Sequence, residues 1–250
     1  MSTLVPTRFP CQRCGAEVYG LIADSLNANR TPWVLPGILD GSLHRFPCPG
    51  CGLRFVVDKE LLYTDFARQH FIGVFPLADQ PRFLECGALV EQTFAEALVE
   101  RAPAALRKEA AGFAVRVVFG LAELREKLLC FRAGLDDRVL EMVKLAVMAE
   151  QWTLMEGGLG GLVLEQLPEG ALSFTTVWRA GATAPDVQRV WIDRAAYAEA
   201  AAAWPGLERD HAALSRGPYV SVMRYWGGAP PEVGTPRSSP ERKIWRASRP

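Results

Sequence analysis

The chain is short of the residues that carry chemistry, and three absences narrow its reading before any motif is considered. Histidine occurs three times, at His44, His70 and His211, and none has a sequence neighbour that would make it a general base or activate a nucleophile. Net charge is missing: 28 Lys and Arg stand against 28 Asp and Glu, so there is no basic footprint of the kind a nucleic-acid partner requires. Long apolar runs are missing too. No stretch approaches the roughly 18 residues of a membrane-spanning helix, and Met1 to Pro10 lacks the apolar core of a secretion signal. The expectation is a cytoplasmic protein without membrane contact, in a compartment where thiols stay reduced.

Against those absences stands ordinary globular composition. The chain has 250 residues, 49% of them hydrophobic, enough for one large domain or two small ones. Six cysteines are present, and in a reducing compartment that number points to metal binding more than to disulfides. Four of them lie in a repeat: Phe9-Pro10-Cys11-Gln12-Arg13-Cys14-Gly15 returns as Phe46-Pro47-Cys48-Pro49-Gly50-Cys51-Gly52. A Cys-x-x-Cys turn aims two thiolates at one point, and two such turns complete the four soft ligands of a tetrahedral zinc site. Gly15 and Gly52 can take positive φ and leave backbone N–H groups pointing at sulfur. Cys11, Cys14, Cys48 and Cys51 are therefore expected to hold one structural zinc, closed by four protein ligands. Two disulfides or a redox Cys-x-x-Cys are the other readings, although a thioredoxin-like site would not explain a duplicate. The 33 residues between Cys14 and Cys48 exceed the roughly 15–20 of a compact ribbon, so the insert must form structure of its own.

Apolar spacing sets the rest of the layout. Residues 33–43 read as a short helix with Pro32 at its first position and Gly41 closing it. Residues 54–57 and 71–75 read as strands. From Gly87 the character changes, with a helix over 88–101 that Pro103 ends or restarts. A strand follows over 115–119, then a helix over 121–131 stopped by Gly134. Asp136 caps a helix to Glu150, with Leu135 and Leu140 as a hydrophobic staple. The last third reads mostly as strand: 161–166 and 171–178 around the Pro168-Glu169-Gly170 turn, 187–192, an Ala-rich helix over 195–204, and a closing strand over 219–225. The fold class is α+β. Its organisation is a zinc-ribbon-like four-cysteine module over 1–82, a helical segment over 83–150, a β-rich region over 151–227 and a disordered Pro-, Ser- and Arg-rich tail over 228–250.

With the repeat and its surroundings in view, the chain resembles the CpXC family of bacterial and archaeal proteins, named for Cys-Pro-x-Cys motifs. Cys48-Pro49-Gly50-Cys51 matches that motif in full. Gln12 stands where the first knuckle would have proline, a position that stiffens the turn and is not a ligand. Ile38-Leu39-Asp40-Gly41-Ser42-Leu43, Leu61-Leu62-Tyr63-Thr64-Asp65 and Gly134-Leu135-Asp136-Asp137-Arg138 look like stretches that accompany the motif. The resemblance covers residues 5–80 specifically and extends more loosely to 150. It implies zinc and no particular reaction.

The remaining candidates have blander readings. His44 could be a spare ligand and is expected to be a loop side chain, given four cysteines; His70 and His211 are expected at the surface or in packing. Asp136 and Asp137 could be an acid–base pair, but carboxylates at a helix start are favoured by the dipole. Glu123, Arg125, Glu126 and Lys127 read as a solvated helix face, and Cys86 and Cys130 as buried, inert thiols. Gly157-Gly158-Leu159-Gly160-Gly161 lacks the Lys and Ser or Thr of a phosphate loop and reads as a flexible connection or bulge. Trp152, Trp178, Trp191, Trp204 and Trp226 read as packing residues. In the tail, Arg237, Arg242, Lys243, Arg246 and Arg249 outnumber Glu232 and Glu241, a run read as solvated. Function then points to a non-catalytic, zinc-stabilised structural or protein-interaction module. Nucleic-acid binding is the alternative, weakened because seven basic residues meet seven acidic ones within 1–80. An enzyme whose site assembles only in three dimensions is the third option.

Overall fold

The computed structural model describes residues 2–150, 159–179, 189–226, 231–232 and 245–246. Its helices and mixed sheets are those of an α+β protein. Two compact units are present: residues 1–124 with 239–250, and residues 125–238.

In the first unit, β1 (Thr3–Pro10) and β2 (Glu17–Asn27) form an antiparallel hairpin whose tip is the first cysteine pair. The sequence reading missed both strands. Pro6 and Pro10 weaken the strand signal of β1, yet they are tolerated because β1 is the edge of its sheet. β2 alternates: Val18 and Ile22 are buried, Tyr19 and Leu21 exposed. Next come α1 (Val34–Leu39), β3 (Arg45–Pro47), β4 (Arg54–Asp58), β5 (Leu61–Asp65) and β6 (His70–Phe75). α1 is shorter than expected, and Gly41 follows it at φ +73°. The insert between the cysteine pairs is thus built from β2 as much as from its helix.

A 3-10 turn (Leu77–Arg82), α2 (Phe83–Phe94), a π-helical turn (Ala95–Glu100) and α3 (Ala104–Ala110) then lead to β7 (Ala114–Phe119). This is the long crossover that two parallel strands need, and β6 and β7 do pair in parallel. The sheet runs β1-β2-β5-β6-β7, while β3 and β4 pair separately as an antiparallel hairpin. All six residues of β6 are buried, as suits a strand covered on both faces. Gly73 shows how closely α2 lies on it: a Cβ there would be 2.3 Å from Val90 Cγ2.

The second unit contains most of α4 (Gly120–Arg132), then α5 (Asp137–Glu150), β8 (Leu159–Gln166), β9 (Ala171–Arg179), β10 (Arg189–Asp193), α6 (Arg194–Asp210) and α7 (Ala212–Ser215). β8 and β10 flank β9 in antiparallel pairs, and Gly170 takes φ +74° at the expected turn. Leu140, Met148, Leu164, Leu172, Phe174 and Trp204 meet in one core. α6 runs past Pro205 and is longer than its Ala-rich stretch implied; its cap is Asp193, which accepts a 2.8 Å hydrogen bond from Ala195 N–H.

Of the expected tail, two short pieces are described. Pro231–Glu232 pairs with the end of β9, and Trp245–Arg246 lies parallel to β4. The rest of 228–250, Gly157, Gly158 and Trp152 lie outside the described residues. Gly161 sits at a register shift in β8, which fits the bulge reading of the glycine cluster. The closing strand expected over 219–225 is not formed. A 3-10 turn (Val222–Trp226) stands there instead, because side chains, not a neighbouring strand, take up this segment's backbone groups.

Candidate metal centre

The two cysteine pairs fold identically. In the first, Gly15 N–H donates to the Cys11 carbonyl and Cys11 N–H to the Ala16 carbonyl, each at 2.8 Å. In the second, Gly52 N–H donates to the Cys48 carbonyl at 2.9 Å and Cys48 N–H to the Leu53 carbonyl at 2.7 Å. Gly15 and Gly52 take φ +73° and +71°, the left-handed turn expected of them. Packing holds the knuckles from beneath. Phe9 meets Phe46 and Phe55 edge-on, both with ring centroids 5.4 Å apart. Phe46 lies over Gly20, where a Cβ would be 2.2 Å from its ring. Burying Phe9 stabilises the module by about 2–3 kcal/mol.

This scaffold brings all four predicted sulfurs within 4.8 Å of one another. Cys11 Sγ is 3.7 Å from Cys51 Sγ, and Cys14 Sγ is 3.5 Å from Cys48 Sγ. All four are free thiols, far from the roughly 2.05 Å of a disulfide bond. Their acidities are spread apart. Burial raises the pKa of Cys11, but N–H groups of Cys14 and Arg13 and the neighbouring thiols outweigh it and bring the pKa to about 6. Leu53 N–H draws Cys51 down, yet burial and the other three thiols push it up to about 12. Cys14 is also raised: Ala16 N–H opposes this, but Cys48 and Cys11 prevail. The Cys11 thiolate forms readily while Cys14 and Cys51 resist, as expected where negative charges converge without a cation. A metal ion removes that conflict, and the four cysteines could hold one.

His44 belongs neither to this cluster nor to a solvated loop. At φ +55° it turns inward, is buried, and its Nε2 accepts a 2.8 Å hydrogen bond from Ala23 N–H. Burial, then Lys59, lower its pKa to about 4 against the opposing pull of the Val57 carbonyl and Asp24. It is a neutral strut under the hairpin. His70 is buried on β6 and His211 closes α6. Burial also raises the thiols of Cys86, to about 11, and Cys130, so both are the inert cysteines expected. Of the tryptophans read as packing residues, Trp204 is buried as expected, whereas Trp191 is 56% exposed.

A second constellation went unrecognised in the sequence. Glu126 and Lys127, read there as solvated, are each 2% exposed. They join Asp137, Glu141 and Lys144 in a buried network within residues 125–238. Lys144 Nζ donates to Glu126 at 2.6 Å and to Glu141 at 2.8 Å. Lys127 Nζ lies 3.1 Å from Asp137 and donates to the Val220 carbonyl at 2.7 Å. The other oxygens of Glu126 and Glu141 accept from backbone: Glu126 from Leu164 N–H and Glu141 from Val222 N–H at 2.8 Å. This is what replaces the missing strand at 219–225.

Burial raises the pKa of Glu126, whereas two lysines lower that of Glu141 despite burial, and the carboxylates raise both lysines. A signal was available: Asp137, Glu141 and Lys144 fall at i, i+4 and i+7, one stripe of α5. Of the aspartate pair, only Asp136 caps, accepting a 2.9 Å bond from Arg138 N–H; Asp137 is the buried partner of Lys127.

Fold and site together define a class: an α+β protein with four converging cysteines able to hold a metal ion. The particular family follows from comparison. The family model described as CpXC protein matches residues 9–144, more than half of the chain, and the chain belongs to the CpXC family. No curated protein and no solved structure matches it. No helix among the described residues is long and apolar enough to cross a membrane.

Proposed function

We propose that the ion is zinc, and that the protein is a non-catalytic, zinc-fastened module that works by contact with other proteins in a reducing, cytoplasmic compartment. The observation that carries this is the sulfur spacing of 3.5 and 3.7 Å across the knuckles. A tetrahedral zinc with bonds of about 2.3 Å places its sulfurs about 3.8 Å apart. Four thiolates complete that coordination, so a bound zinc would have no position for substrate. The fold would then use it as a fastening. Exposed Tyr19 and Leu21 on the outer face of the β1–β2 hairpin are the chemistry of a protein contact more than of a phosphate backbone. Metal analysis of the purified chain tests the reading: about one zinc per chain is expected, lost in Cys48→Ser. A folded, metal-free wild type would refute it.

A further inference from the structure

The four cysteines differ in what reaches them. Cys11 and Cys48, the first of each pair, are buried; Cys14 is exposed and Cys51 half-exposed. Each outer sulfur has an inner one from the opposite knuckle close by, Cys14 against Cys48 at 3.5 Å and Cys51 against Cys11 at 3.7 Å. Gly50 leaves the Cys14–Cys48 side open, since a Cβ there would be 3.3 Å from Cys14 Sγ and 3.9 Å from Cys48 Sγ. Oxidant from solvent therefore meets Cys14 first, with an inner thiolate of the other knuckle beside it.

Resting on the zinc reading above, we propose that the centre is an oxidation-sensitive clasp that hydrogen peroxide opens by forming a disulfide between knuckles, Cys14 to Cys48. The Cys14 thiolate attacks the peroxide O–O bond, becoming sulfenic acid and releasing hydroxide. The Cys48 thiolate then attacks that sulfur, the S–S bond forms, and a second hydroxide leaves. The two thiolates lose two electrons in all, and the peroxide takes them, ending as two waters once protonated. With half of its ligands spent, the zinc is released. Sensitivity to peroxide follows access of the sulfur to solvent, and Cys14 is the exposed cysteine of the four.

The test uses the full chain, its zinc content measured first; a folded protein without zinc overturns the underlying reading and not the oxidation chemistry. On zinc-loaded protein, hydrogen peroxide should release zinc to a chromogenic chelator while peptide mapping shows a Cys14–Cys48 linkage. Thioredoxin-type reductant with added zinc should restore the starting state. Cys14→His keeps four potential ligands but removes the exposed sulfur, and its zinc should leave about tenfold more slowly. Linkages within a pair, Cys11–Cys14 or Cys48–Cys51, or zinc retained under peroxide that oxidises a free thiol, would overturn the proposal. The mapping on wild type decides the matter even if Cys14→His fails to fold.

Discussion

In residues 1–124, four thiols converge within 4.8 Å and call for a cation from solution; in residues 125–238, three carboxylates converge with two lysines drawn from the same pair of helices. Both arrangements crowd ionisable groups, the first at a partly exposed surface and the second in a dry interior. The first could be neutralised by a metal ion from solution, which can come and go. The second is answered from within the chain, by two lysines and by backbone N–H groups of Leu164 and Val222 that complete the bonds. The contrast teaches where regulation can enter: a site completed from outside can be emptied, while a site completed from within is lost only by unfolding.

The largest test of that contrast is Cys48→Ser. Structural zinc contributes on the order of 10 kcal/mol or more to folding, so the variant should lose its metal, and amide exchange across β3, β4 and both knuckles should become fast. Chelation of the wild type should reproduce the effect. Lys144→Met attacks the internal solution. It strands Glu126 and Glu141 without their shared cation and should cost about 3–5 kcal/mol in denaturant unfolding, with zinc content unchanged. Glu126→Gln, which keeps an acceptor for Leu164 N–H, should cost less than Lys144→Met.

Acid probes the first unit through His44. Its folded pKa of about 4 lies below the ordinary 6.5, so the unfolded chain takes the proton first. The stability it supports is complete above pH 6.5 and declines as pH falls to about 4, by about 3 kcal/mol in all. The loss between pH 7 and 4.5 should be smaller in His44→Gln, and comparing the two proteins separates this effect from protonation of the thiols. The smallest expected change is Asp136→Ala, which removes the α5 cap and should cost about 1 kcal/mol in thermal unfolding.

The sequence made the centre legible because its chemistry is local: two Cys-x-x-Cys turns with their glycines contain nearly all the geometry they need. Helices with strong periodicity, α4 and α5, were legible for the same reason, as was the hairpin around Gly170. What escaped depends on distant partners. β1 reads poorly because its prolines are acceptable only at a sheet edge. Glu126 and Lys127 look like surface charges until Leu164 N–H and the Val220 carbonyl arrive from 38 and 93 residues away. His44 looked like a ligand or a loop residue, since nothing nearby announces the Ala23 N–H that engages it.

The internal network also bears on where the chain can be divided. The family match ends at Lys144, yet backbone partners of the charged side chains on α4 and α5 are supplied by Leu164, Val220 and Val222. A protein cut at the end of the matched segment would keep all three buried carboxylates and both lysines while giving up the backbone that completes them. Residues 125–144 are therefore a matched segment whose buried charges are completed by sequence beyond the match.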